Sequence, residues 1–241
     1  MQTARRQQFR PLASWHRPGA WMLTLVPALL LGMVSAVPAE EPAPAGSSSH
    51  SLFDGKSLGH WKAVDYANPG PVEVKDGMLI LGRGNPMTGA TWTGTPLPGV
   101  NYELTFEAQR LSGNDFFAAV TFPVKESSCS LILGGWGGGL TGLSSLNGAD
   151  ASENETTGYL AFENQRWYKV RVQVFEHRIC CWVDEAPLVD LDTTDLEVGV
   201  RLEMEMCRPF GLASYHTVGA VRHLQWRPVK PESAPAETEN R

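Results

Sequence analysis

The chain has 241 residues, carries 20 basic and 26 acidic side chains for a net charge of −6, and is rich in glycine (24) and proline (17). An acidic surface repels phosphate backbones, and no Lys/Arg-rich run stands beyond residue 36, so nucleic acid and anionic membrane surfaces are poor partners. Neutral ligands fit this balance better.

Taken in chain order, Arg5, Arg6, Arg10 and Arg17 precede an apolar run over 20–34 that is broken only by Thr24, Pro27 and Gly32. The run is shorter than the ~20 residues that span a bilayer, and Val34-Ser35-Ala36 places small side chains where a signal peptidase reads them. The layout predicts a signal peptide over 1–36 and a protein exported to the periplasm or the extracellular space; an uncleaved N-terminal anchor is the alternative. Cleavage leaves 16 basic and 26 acidic residues, a net charge of −10. Residues 37–50 and 229–241, rich in Pro, Ala, Ser and Glu, read as flexible tails around one domain at 51–228.

Within that domain Tyr102, Leu104, Phe106 and Ala108 alternate with polar residues, the period of a strand with one face in a core. Tyr168, Val170, Val172 and Val174 repeat the pattern, and a turn near Glu176 and His177 leads into 179–183, which predicts a hairpin. Leu196, Val198, Val200, Leu202, Met204 and Met206 form the longest alternating series and predict a strand over 196–206. Shorter strands are expected at 77–81, 90–95, 116–122, 130–133, 159–162, 212–216 and 218–226. No amphipathic helix stands out, so the fold class is all-β: a jelly-roll sandwich of two antiparallel sheets, with an immunoglobulin-like sandwich of fewer strands as the alternative.

Several constellations could carry chemistry. On a strand, Arg201, Glu203 and Glu205 would project from one face, and two neighbouring carboxylates beside a guanidinium can split into an acid and a base for sugar cleavage; the plain reading is a solvated sheet face. The run Gly134-Gly135-Trp136-Gly137-Gly138-Gly139 leaves one indole with little local cover, either a stacking platform for a sugar ring or core filler flanked by bulges. His216, near a strand end, could line a cleft as an acid or base, or be an ordinary turn histidine. No cofactor is called for, although Asn147, Asp150, Glu153 and Asn154 are a composition that calcium accepts when a loop curls round it. No Ser, His and Asp stand in the frame of a nucleophilic triad. Cys129, Cys180, Cys181 and Cys207 fall in the exported part, where their pairing is open; only the adjacent Cys180 and Cys181, pointing to opposite faces of a strand, should not bond each other.

Leu52-Phe53-Asp54-Gly55-Lys56-Ser57-Leu58 with Trp61 resembles the opening of the 3-keto-disaccharide hydrolase domain family, and 74–79, 102–104, 167–170, 182–184 and 221–224 resemble later segments in the same order. The resemblance implies a concanavalin-like sandwich, an exported location, a carbohydrate ligand and cleavage of 3-keto-disaccharides or related glycosides. A non-catalytic glycan-binding module, for which six tryptophans beyond residue 36 would provide platforms, is the alternative. Asn114-Asp115-Phe116 and Cys129-Ser130-Leu131-Ile132 depart from the family pattern, so no catalytic residue carries over by motif.

Overall fold

The computed structural model describes residues 48–232; the expected signal peptide and most of the two expected tails lie outside them. The strands, in chain order, are β1 (His50–Ser51), β2 (Trp61–Ala63), β3 (Val72–Lys75), β4 (Met78–Leu81) and β5 (Met87–Trp92). Then come β6 (Tyr102–Ser112), β7 (Ala119–Val124), β8 (Ser127–Gly135), β9 (Leu140–Ser144) and β10 (Gly158–Tyr159). The last are β11 (Trp167–Val174), β12 (Arg178–Val183), β13 (Ala186–Asp192), β14 (Gly211–Tyr215) and β15 (Val218–Pro228), with a 3-10 helix at Leu202–Cys207 before β14.

They form two antiparallel sheets, one ordered β13-β12-β11-β6-β15-β4-β3 with β1 paired to β15, the other β10-β9-β8-β7-β14-β5-β2. We call these the first and the second sheet. The main core lies between them, where Tyr102, Leu104 and Phe106 of β6 and Val170, Val172 and Val174 of β11 meet Val120 and Phe122 of β7 and Leu131 and Leu133 of β8. The alternation that predicted β6 and β11 is realised as pleated strands with one apolar face inward, and the hairpin expected after the turn at Glu176 and His177 is formed by β11 and β12. Tyr102 crosses the core, its buried hydroxyl donating to the Pro123 carbonyl of the opposite sheet at 2.7 Å.

The second sheet is covered on both faces. Met87, Ala119, Ile132, Leu140 and Ala213 point away from the main core into a separate apolar cluster with Met204 and Cys207 of the 3-10 helix. Strands β7 and β9 are therefore buried along their whole length.

This covering segment is where the predicted strand 196–206 fails. Its first part is extended: Ser145 and Gly199 exchange backbone hydrogen bonds at 2.7 and 2.9 Å, and Val198 bridges Leu146. From Leu202 it winds into the 3-10 helix. Met204 and Cys207 are three apart and both buried, the repeat of three residues per turn, whereas Leu202 (85% exposed) and Met206 (49%) lie outside. The alternation of Leu202, Met204 and Met206 thus mimics a strand without sharing a face. Strands β1, β2, β3, β9 and β13 lie outside the ranges expected for strands.

Two of the passages between the sheets at one end, from β6 to β7 and from β14 back to β15, lie side by side. The two crossings are tied where the Asp115 amide donates to the Thr217 hydroxyl at 3.0 Å. Gly219 sits at this end because a Cβ there would lie 1.8 Å from the Phe117 carbonyl oxygen.

Candidate functional site

A cleft of about 310 Å³ opens on the outer face of the second sheet, between the sheet crossings and the covering segment. Met87 of β5, Ile132 of β8 and Tyr215 of β14 form its floor; Asp115 and Phe116 come from the first crossing, Arg201, Glu203 and Met204 from the covering segment, and Trp136 from the glycine-rich turn after β8. The size is at the lower end of small-molecule pockets, about 300 to 1,000 Å³. Its residues include no Ser, Cys or His.

Trp136 stands 46% exposed at the rim. Its backbone is left-handed (φ 48°), a conformation that L-residues hold only when their surroundings enforce it. The enforcement comes from both sides of the turn: the Asp115 carboxylate accepts from the Gly137 amide at 3.1 Å, and Leu160 donates to the Gly139 carbonyl at 2.9 Å. Of the two readings of Trp136, the structure realises the uncovered indole.

Arg201 reaches across the cleft. Its Nη1 donates to Asp150 at 2.6 Å, while Nε and Nη2 grip the two oxygens of Glu203 at 3.3 and 3.1 Å. One N–H on each terminal nitrogen stays available, and the guanidinium carbon lies 5.7 Å from the Trp136 ring centroid. Arg201, Glu203 and Trp136 are thereby brought together on one cleft.

Glu205 is not with them. Residues two apart on a 3-10 helix point in divergent directions, and Glu205 pairs with Arg208 at 3.3 Å instead of lining the cleft. The expected carboxylate pair on one strand face is therefore absent, because the strand is. His216 also lies outside the lining; its ring meets Tyr215 edge-on at 4.7 Å.

The loop considered for calcium spends its oxygens internally. Asn154 donates to the carbonyls of Leu143, Ala149 and Asp150 and accepts from Thr156; Asn147 accepts from the Glu197 amide at 2.8 Å; Asp150 binds Ser152 and Arg201. Its evident work is to hold the covering segment at 197–201. Among the described residues no group of three His, Cys, Asp or Glu side chains stands close enough to hold a metal ion.

Tyr66 anchors the segment from the other side, donating to the Glu203 carbonyl at 2.8 Å and meeting Cys207 Sγ at 3.4 Å. Burial, with Cys207 and Glu203 close by, pushes the Tyr66 phenol far above its ordinary range, so it stays a neutral donor. All four cysteines are free and buried. Burial raises Cys129 to about 12 and Cys207 to about 11, and Cys180 is raised to about 11 by burial and by Asp190. None is an activated thiolate.

Sequence reasoning missed Asp115, Phe116 and Tyr215 as cleft residues. For Asp115 and Phe116 the only sequence signal was the departure of Asn114-Asp115-Phe116 from the family pattern, and Tyr215 had none. Asp115 works through both oxygens, one on the Phe116 amide and one on the Gly137 amide, so it shapes the rim of the cleft.

A family model described as the 3-keto-alpha-glucoside-1,2-lyase-like domain matches residues 48–230. The chain belongs to this family. It is a carbohydrate-related family of glycosidase-like and binding-module-like proteins, and the chain shares its fold with solved structures from that world. A galectin-like protein of unknown function from Bacillus subtilis superposes with TM-score 0.53 at 8% identity, over 77% of this chain and 96% of that one. The Crh5 transglycosylase in complex with NAG gives 0.52 at 10%, over 76% and 84%. Domain 4 of AbnA, an extracellular arabinanase from Geobacillus stearothermophilus in complex with arabinotriose, gives 0.50 at 12%, over 77% and 93%. At such identities the likeness establishes the jelly-roll sandwich. Comparison with curated proteins returned no match.

Proposed function

We propose that this is an exported enzyme that cleaves 3-keto-α-glucosides or related glycosides in the Trp136 cleft. The observation that carries the reading is the convergence of Trp136, Arg201 and Glu203 on one pocket of sugar-ring size. The indole offers a flat apolar face to the C–H side of a pyranose, and the two unused Arg201 N–H groups point to oxygen recognition.

Hydrolysis by an acid and a base needs two carboxyl groups flanking the bond. With Glu205 turned away and Asp115 occupied by backbone amides, the cleft favours a route that needs one base and one electrophile. A ketone at C3 acidifies the neighbouring C2–H. Glu203 accepts that proton, and Arg201 stabilises the enolate oxygen at C3. The electron pair then forms the C1=C2 bond as the bond from C1 to the leaving oxygen breaks, and the Glu203 carboxyl returns its proton to that oxygen. No water is consumed and no metal is called for. This matches the elimination in the family's description and departs from simple hydrolysis.

The test is sugar release by the purified protein from 3-ketosucrose and from sucrose, with product masses recorded. Release from the keto form, a keto-sugar product one water lighter than the hydrolysis product, and loss of turnover with retained binding in Glu203→Gln support the reading. Unchanged turnover in that variant removes Glu203 from the mechanism. A second reading is a glycan-binding module, favoured by Glu203 and Glu205 each being held by an arginine. It predicts binding without release from either sugar, and only an affinity change in Glu203→Gln.

A further inference from the structure

Arg110, near the end of β6, is 6% exposed and takes no part in the chemistry above. Its Nε donates to Asn164 Oδ1 at 2.7 Å, Nη1 to the Gly138 carbonyl at 3.2 Å, and Nη2 to the Phe162 carbonyl. All three acceptors are neutral oxygens, and the guanidinium lies 5.7 Å from the Phe117 ring centroid. A buried cation held without a carboxylate in its hydrogen-bond set costs solvation, so its retention calls for a specific use.

The geometry supplies one. The Gly138 carbonyl belongs to the turn that presents Trp136, and this turn packs so closely on Arg110 that a Cβ at Gly138 would lie 3.1 Å from Nη1 and 2.9 Å from the Asn114 carbonyl. Phe162 and Asn164 belong to the link between β10 and β11, so one planar fork ties three segments distant in sequence. Asp115 holds the same turn from the cleft side through Gly137. Directly before the two gripped glycines stands Trp136, the one left-handed tryptophan of the described residues.

We propose that Arg110 is the positioning residue of the sugar platform: its fork fixes the glycine-rich turn so that Trp136 presents its ring to the cleft. The inference rests on the reading of Trp136 as the sugar-stacking residue. Lysine retains the charge but not the fork, and reaches fewer of the three oxygens at once.

The experiment is a double-mutant cycle on 3-ketosucrose binding, measured by calorimetry with Glu203→Gln present throughout so that the sugar binds without turnover: Glu203→Gln alone, with Arg110→Lys, with Trp136→Ala, and with both. Arg110→Lys is expected to weaken binding about ten-fold when Trp136 is present and less than about two-fold when it is already alanine. Equal losses in both backgrounds overturn the positioning role while leaving the platform intact. No loss in Trp136→Ala overturns the platform itself, and the inference with it. Hydrogen exchange without sugar gives an independent reading. Arg110→Lys, and more weakly the surface change Asn164→Ala, should speed exchange in the peptide over 134–139 and leave β11 and β12 unchanged. Unchanged exchange at 134–139, or a uniform increase across both sheets, sinks the proposal.

Discussion

The two sheets obey different rules although they share one core. The first sheet buries one face and wets the other, where Arg171 lies 3.7 Å over Trp182, Arg222 4.0 Å over Trp167, and Glu103 gathers Gln173 and Arg227. The second sheet buries both, because the covering segment and the 146–157 loop lie on its outer face. The cleft opens at the edge of that cover. A sandwich that leaves one sheet polar and roofs the other gains a site whose walls come from both sheet and cover, and whose shape depends on how the cover is held.

The sharpest way to break this comparison is to put a charge on the outer face of each sheet. Ala213→Asp places a carboxylate at a fully buried position under the cover, where an unpaired charge costs about 3–5 kcal/mol, so unfolding in urea should shift strongly or the protein fail to accumulate. Lys169→Asp sits on the exposed face of β11 opposite Glu107 and should cost no more than about 1 kcal/mol. Similar costs at both positions would mean that the outer face of the second sheet is not covered in solution. Met204→Ala comes next. It removes the side chain that fixes the 3-10 helix to the sheet, should cost about 2 kcal/mol at the low end for a buried methionine, and should enlarge the cleft that Met204 lines. Loss of stability with unchanged sugar affinity would separate the cover from the site.

The same comparison explains what the sequence could disclose. Period-two alternation reports a sheet with one wet face, and β6 and β11 were legible for that reason, with β12 following from the turn after β11. β9 (Leu-Thr-Gly-Leu-Ser) is buried on both faces and carries no such signal. The series from Leu196 to Met206 alternates convincingly, yet its buried members are set by a local period of three that only packing against β5 and β14 selects. Trp136 was conspicuous because five glycines surround it. Arg201 and Glu203 were singled out on a strand that does not exist, and still reach the cleft because the covering segment places them there. Asp115 and Tyr215 could not be found from pattern, since they meet only where two crossings far apart in sequence come side by side.

Smaller effects sharpen the picture of how the cover is pinned. Tyr66→Phe removes the hydroxyl that donates to the Glu203 carbonyl and should cost about 1 kcal/mol. Its more telling consequence is local: hydrogen exchange should rise over 201–208 and not in β11. Uniform exchange would show that the 3-10 helix is held by its apolar contacts alone.

The last prediction concerns the wet face of the first sheet. Glu107 is partly desolvated, which raises its pKa, but the hydrogen bonds from Arg222 at 2.7 Å and from His223 outweigh this and bring it below its ordinary value. His223 reaches Glu107 at 3.4 Å because a register break between Arg222 and Gln225 holds it at φ 53°. A carboxylate whose pKa is lower in the folded than in the unfolded chain stabilises the fold above the unfolded value, about 4.3 for glutamate, and that contribution disappears as pH falls through the folded value. Glu107→Gln should therefore lower the unfolding midpoint slightly at neutral pH, by less than about 1 kcal/mol for a solvent-screened pair, and the two proteins should converge in stability as the pH falls below about 4. A constant difference between them across that range would assign the effect of the substitution to packing rather than charge. A change in sugar affinity at neutral pH would contradict the separation of the two faces, because Glu107 stands on the sheet that does not carry the cleft.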